Sequence, residues 1–202
     1  MPSTSTAAQP TTHLLYLHGF RSSPQSTKAR HMAHWMATTL PHVTWWCPQL
    51  PPSPQAAAAL IAQGTADWPS HSMAVMGSSL GGFYATWLAA QRHCPAVLIN
   101  PAIDPARDLT RYIGEQTAWH DPNERFYFAP EFVDELRALY VGDLPHPERV
   151  LAFIAKGDEV LDWREMTARY PGSQQVVLEG GDHALSDFET HLPAICQFLD
   201  LR

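Results

Sequence analysis

Charge is what this chain has least of: Asp, Glu, Lys and Arg together make up 16% of its 202 residues. No run of lysine or arginine stands out and the formal net charge is -7, so the basic footprint of a nucleic-acid binder is missing. No apolar run approaches the roughly 20 residues that a membrane-spanning helix needs, which excludes insertion into a bilayer. Cysteine is equally sparse. Cys47, Cys94 and Cys196 are far apart and form no Cys-x-x-Cys pair, which excludes a disulfide scaffold or a zinc ribbon and reads as reduced thiols. The start, Met1 to Pro10, has neither the basic residues nor the apolar core of a leader. Residues 1–12 are therefore expected to be a disordered tail, and the expected compartment is the cytoplasm. Internal repeats, a phosphate-binding loop, a dinucleotide fingerprint and His/Cys metal spacing are all missing, so no cofactor and no metal are expected.

What is present is a globular composition, 45% hydrophobic, with 18 prolines to end elements abruptly. The length suits one domain, expected over residues 13–202. Short apolar runs alternate with stretches of helical period, the βαβ signature of a parallel sheet. Leu14–Leu17, Val43–Cys47, Met73–Met76, Ala96–Ile99, Val150–Ile154 and Gln175–Leu178 read as strands. Ser26–Leu40, Gln55–Trp68, Leu80–His93, Leu161–Tyr170 and Phe188–Leu199 read as helices. The expected architecture is α/β: six mainly parallel strands in the order 2-1-3-4-5-6, with helices on both faces. Residues 101–149 break the rhythm. They are expected to hold helices near Pro105–Glu115 and Pro130–Leu139, joined by an aromatic loop through Trp119, Phe126, Tyr127 and Phe128. Such an insertion is either a lid or pocket wall, or a longer crossover packed on the sheet.

The chemistry begins at Gly77-Ser78-Ser79-Leu80-Gly81, which fits Gly-x-Ser-x-Gly with a strand before it and a helix after it. That context suits a nucleophile elbow, a sharp turn that lifts the serine above the sheet edge. A serine hydroxyl needs a base, and the base needs a third group to hold its tautomer. In α/β-hydrolases these follow in the order Ser, Asp or Glu, His. Asp158, in Lys156-Gly157-Asp158-Glu159, follows the fifth strand. His183, in Gly180-Gly181-Asp182-His183, follows the sixth, so both share the carboxyl edge of the sheet with Ser79. Asp158 has rivals in Glu159, Asp162 and Asp182, of which Asp162 is the first alternative. His18-Gly19-Phe20 follows the first strand, which assigns the oxyanion hole to the backbone N–H groups of Phe20 and Leu80 and leaves the His18 side chain to brace the loop.

Taken together, Tyr16-Leu17-His18-Gly19-Phe20-Arg21-Ser22-Ser23-Pro24, Gly77 to Ala85, Asn100-Pro101-Ala102, Gly157 to Asp162 and Glu179 to Ala184 resemble the YqiA-type esterases, a bacterial branch of the α/β-hydrolase superfamily. The resemblance spans about residues 13–200. It implies a compact hydrolase acting on acyl esters or thioesters, with fatty acyl-CoA among the candidate substrates and Ser79, Asp158 and His183 as triad. Small-molecule acyl compounds are then the expected partners. Two alternatives stand beside this reading: a peptidase or amidase with the same triad, and a catalytically silent domain of this fold that only binds.

Overall fold

The structure, a computed structural model, describes residues 9–202, so most of the expected tail lies outside the described residues. The end of that stretch is tied down. Thr11 is buried, donates its N–H to Asp200 O at 3.1 Å and its hydroxyl to Leu199 O at 2.5 Å, and Thr12 N–H reaches Ser72 O at 2.8 Å.

The elements in chain order are β1 (His13–Leu17), α1 (Thr27–Thr39), β2 (Thr44–Trp46), α2 (Pro54–Gly64), β3 (Met73–Ser78), α3 (Leu80–Arg92), β4 (Ala96–Ile99) and α4 (Pro105–Asp108). After these come β5 (Gly114–Thr117), β6 (Arg125–Phe128), α5 (Glu131–Leu139), β7 (Val150–Ala155), α6 (Trp163–Arg169), β8 (Gln174–Leu178) and α7 (Leu192–Phe198). One parallel sheet runs β2-β1-β3-β4-β7-β8. Counted over the sheet strands alone this is the order 2-1-3-4-5-6; the extra pair β5–β6 shifts the numbering.

Alternation along the strands divides the core. Leu15, Leu17, Val75, Leu98, Ala152 and Ile154 face one side, where they pack on residues of α2, α3, α5 and α6. Leu14, Tyr16, Met76, Val97, Ile99 and Phe153 face the other, against Met32 and Met36 of α1 and Ile195 near the C-terminus. Each buried Val, Leu, Ile, Phe or Met side chain among these stabilises the fold by about 1.5–3 kcal/mol. Ser26 and Ser53 cap α1 and α2 through their hydroxyls, to Ala29 N–H at 3.4 Å and Ala56 N–H at 3.1 Å. α2 stops at Gly64 rather than Trp68, and Arg92 holds the carbonyls of Thr65 and Trp68 in the turn that follows at 2.7 and 2.6 Å. The final helix begins as a 3-10 turn, Phe188–His191, and becomes α-helical at Leu192.

The insertion departs most from expectation. The helix expected over Pro105–Glu115 ends at Asp108, a 3-10 turn follows at Thr110–Tyr112, and Gly114 sits at φ 122°, outside helical space. The expected aromatic loop contains an antiparallel hairpin, with Gly114 opposite Phe128 and Thr117 opposite Arg125. Its period is two rather than 3.6: Phe126 and Phe128 face the body of the protein while Tyr127 between them is exposed.

Candidate active site

The turn from β3 to α3 consists of one residue, Ser79, at φ 56° and ψ -121°. A non-glycine residue in this region carries about 1–3 kcal/mol of strain, which persists only where the surroundings enforce it. Here they do. Ser79 N–H donates to Ile99 O at 3.0 Å, and Ser79 O accepts from the N–H groups of Gly82 at 2.9 Å and Ala102 at 3.0 Å. The approach of α3 to β1 is so close that a Cβ on Gly81 would lie 1.9 Å from Leu17 O. The glycine in this motif is thus a packing requirement, and its effect is to seat the start of a 13-residue helix directly behind Ser79.

Asp158 follows β7 and His183 follows β8. The Asp158 carboxylate is wholly enclosed and splits its two oxygens between two tasks. Oδ1 accepts from the N–H groups of Val160 and Leu161, both at 2.8 Å, and Oδ2 lies 2.7 Å from His183 Nδ1. The first contact fixes the carboxylate; the second fixes the imidazole, leaves Nε2 free for proton transfer and makes Nδ1 the protonated nitrogen of the neutral ring. The rival acids are engaged elsewhere. Asp162 caps α6 through Arg164 N–H at 2.9 Å. Asp182 takes both groups of Ser186, N–H at 2.9 Å and hydroxyl at 2.6 Å. Glu159 accepts the His183 backbone N–H at 3.0 Å.

Glu159 is one of three residues that hold the His183 loop and had no role assigned from sequence. Asn100, fully buried at the end of β4, donates through Nδ2 to Asp182 O at 2.9 Å and His183 O at 3.1 Å, and accepts Ala155 N–H at 2.8 Å. It therefore joins the ends of β4 and β7 to the loop after β8. Lys28, from α1, donates its ammonium to Ala184 O. Burial pushes that ammonium down to about 8, against the opposing pull of Asp182. The sequence signals for Asn100 were its place at the end of a buried strand, just before a proline, and its presence in one of the YqiA-type motifs.

The β1–α1 loop completes the edge. His18 is buried and lies between two backbone groups, with Nδ1 3.0 Å from Gly19 O and Nε2 accepting Leu50 N–H at 3.1 Å. Since Nε2 accepts, Nδ1 carries the proton and the ring is neutral; burial pushes its pKa down to about 4. Leu80 opens α3, where N–H groups lack an intrahelical acceptor. Among the described residues the Phe20 amide has no acceptor in the loops and turns either. Ser79, His183, Phe20 and Leu80 all line one cavity of about 890 Å³, whose far wall includes Leu109, Tyr112 and Trp119 of the insertion. Among the described residues no cluster of His, Cys, Asp or Glu is placed to hold a metal ion, and no helix is long and apolar enough to cross a membrane.

A parallel sheet in this order, an elbow after its third strand and polar residues gathered at the strand ends define a protein of the α/β-hydrolase fold. Known structures agree. The mouse alpha/beta hydrolase domain-containing protein 10 superposes with a TM-score of 0.70 at 17% identity, over 94% of this chain and 88% of that one. Est1E from Butyrivibrio proteoclasticus gives 0.63 at 16%, over 95% and 86%. The Pyrococcus furiosus esterase Pf2001 gives 0.60 at 14%, over 94% and 80%. Within that fold the chain belongs to UPF0227, described as an uncharacterised protein family, which it matches over residues 13–200. This is the family to which the YqiA-type motifs pointed.

Proposed function

We propose that this chain is a serine hydrolase that cleaves small acyl esters or thioesters through Ser79, His183 and Asp158. The observation that carries the reading is the enclosed Asp158–His183 pair opening onto the same cavity as a serine held at positive φ. His183 Nε2 takes the proton of Ser79 Oγ as that oxygen attacks the substrate carbonyl carbon. The Phe20 and Leu80 amides donate to the oxyanion, and Asp158 holds the imidazolium that forms. Collapse breaks the bond to the alcohol or thiol, which leaves with the proton from His183. Water, deprotonated by His183, then attacks the acyl-serine and releases the acid. Esterases among the proteins that share the fold support the ester as scissile group.

A short-chain chromogenic ester and a fluorophosphonate probe test the proposal. The wild type is expected to turn over the first and to be labelled by the second at Ser79. Ser79→Ala is expected to lose labelling and at least about 10³-fold in kcat. Full activity in Ser79→Ala would end the assignment. A folded wild type that neither reacts nor labels would favour the silent binding domain.

A further inference from the structure

The loop Gly19–Ser22, which carries the Phe20 amide, lies between two cavities. It lines the 890 Å³ cavity in front and a second cavity of about 330 Å³ behind. Its fastenings outside the insertion are few: the His18 ring on Gly19 O, a turn bond from Ser22 N–H to Gly19 O at 3.2 Å and a bond from Gln49 Nε2 to Ser22 O at 3.3 Å. Arg21 also sits at φ 60°, in the left-handed region that a residue with a Cβ keeps only under constraint.

The constraint comes from the β5–β6 hairpin. Trp119 N–H donates to Arg21 O at 2.8 Å, and Arg21 Nε returns a bond to Thr117 O at 2.6 Å. The guanidinium lies over the Trp119 ring, 4.1 Å from its centre. One residue earlier, the Phe20 ring is inserted into an aromatic socket made largely by the insertion. Its centroid lies 5.3 Å from Phe128 and 5.9 Å from Phe126, both edge-on, and 5.5 Å from Tyr112. The Phe20–Arg21 peptide is thus gripped at both ends by a segment about 100 residues away in sequence, and the Phe20 N–H is attached to the same Cα that carries the gripped ring.

We propose that the hairpin is a positioning element for the oxyanion site: Arg21, with the Phe20 ring, fixes the Phe20 amide from the insertion side. This rests on the hydrolase reading above, and it makes the insertion a fixed wall rather than an opening lid. Arg21 is a positioning residue, because it acts on the oxyanion only through its neighbour's amide.

Four measurements test it, on Arg21→Ala, on Arg21→Lys and, from the hairpin side, on Trp119→Ala. Total loss of an oxyanion donor costs about 10²–10³ in rate, so a displaced amide is expected to cost about 10- to 100-fold in kcat per fluorophosphonate-titrated site. KM is expected to move less than about threefold, because ground-state binding does not need the oxyanion contact. A trifluoromethyl ketone, which forms an oxyanion on Ser79, should lose affinity in step with kcat, while the carboxylic acid product should not. Hydrogen exchange at the Trp119 amide should accelerate in Arg21→Ala, a readout that needs no turnover. Wild-type kcat in all three variants, or a loss confined to KM, overturns the proposal. So does unchanged exchange at Trp119. A wild type without turnover or labelling counts against the hydrolase reading instead, and the exchange result still decides the clamp. Should Arg21→Ala fail to fold, Arg21→Lys and Trp119→Ala carry the same decision.

Discussion

Replacing Asn100 by alanine removes three hydrogen bonds at once from a site with no solvent access. Each is worth about 1 kcal/mol net, and the Ala155 N–H would be left buried without an acceptor, so this part alone comes to about 3 kcal/mol. Asn100 also sits at φ 40°, where asparagine is tolerated and alanine costs about 1 kcal/mol more. The total, about 4 kcal/mol, is a large share of the roughly 5–15 kcal/mol that holds a domain together. For a chain of this length it corresponds to a fall of about 10 °C in Tm. The catalytic effect should follow, since both carbonyls released belong to the segment that carries His183. Asn100→Asp separates the causes. Its carboxylate can still accept from Ala155 but turns an oxygen toward the carbonyls of Asp182 and His183. At pH 7 it should be no more stable than Asn100→Ala, and it should recover on mild acidification, when a protonated carboxyl can donate to one of them. Urea denaturation of both variants at pH 7 and 5, paired with kcat on a chromogenic ester, gives the answer. A loss below about 1 kcal/mol in Asn100→Ala would refute the reasoning. So would an Asn100→Asp variant as stable at pH 7 as the wild type.

The buried, neutral His18 sets a pH limit. With its pKa at about 4 in the folded protein and 6.5 as the ordinary value, the unfolded chain binds the proton first as pH falls. Stability is therefore unaffected above about 6.5, declines between 6.5 and 4, and is lower by on the order of 3 kcal/mol below that. Denaturation at pH 7 and pH 4 should show this component vanish in His18→Gln; an equal pH slope in both proteins would contradict it. The two neighbouring acids should part cleanly in function. Asp158→Asn is expected to lose about 10⁴-fold in kcat by favouring the wrong imidazole tautomer. Asp162→Ala should lose only its helix cap, about 1 kcal/mol, with kcat retained. Kinetics on the pair would reject the assignment if their effects were reversed.

The sheet was legible because parallel strands buried on both faces must be apolar throughout, as Met73–Met76 and Val150–Ile154 are. The elbow was legible because steric demands at Gly81 leave a local trace in the chain. The hairpin was not. Glu115-Gln116-Thr117 is polar, β6 has four residues, and the aromatic residues of β6 pack on Phe20, a contact that no local window contains. The hold of Asn100, Lys28 and Glu159 on the His183 loop was not legible for the same reason: each acts across 24 to 156 positions of sequence. Asp158 could be ranked above Asp162 from position alone, but the capping duty of Asp162 is visible only with α6 in place.

The bond from Thr11 to Leu199 links positions 188 residues apart, and it fastens the entry to β1 with the last turn of the chain. Synthesis delivers those partners in the reverse of the order in which they are needed. β1 leaves the ribosome ahead of β2 and of β3, its central neighbour, which comes some 60 residues later, and the partner of Thr11 follows it by 188 residues. A growing chain of this protein therefore carries an apolar strand whose edges lack their partners until β2 and β3 have been made, an interval in which association between unfinished copies competes with folding.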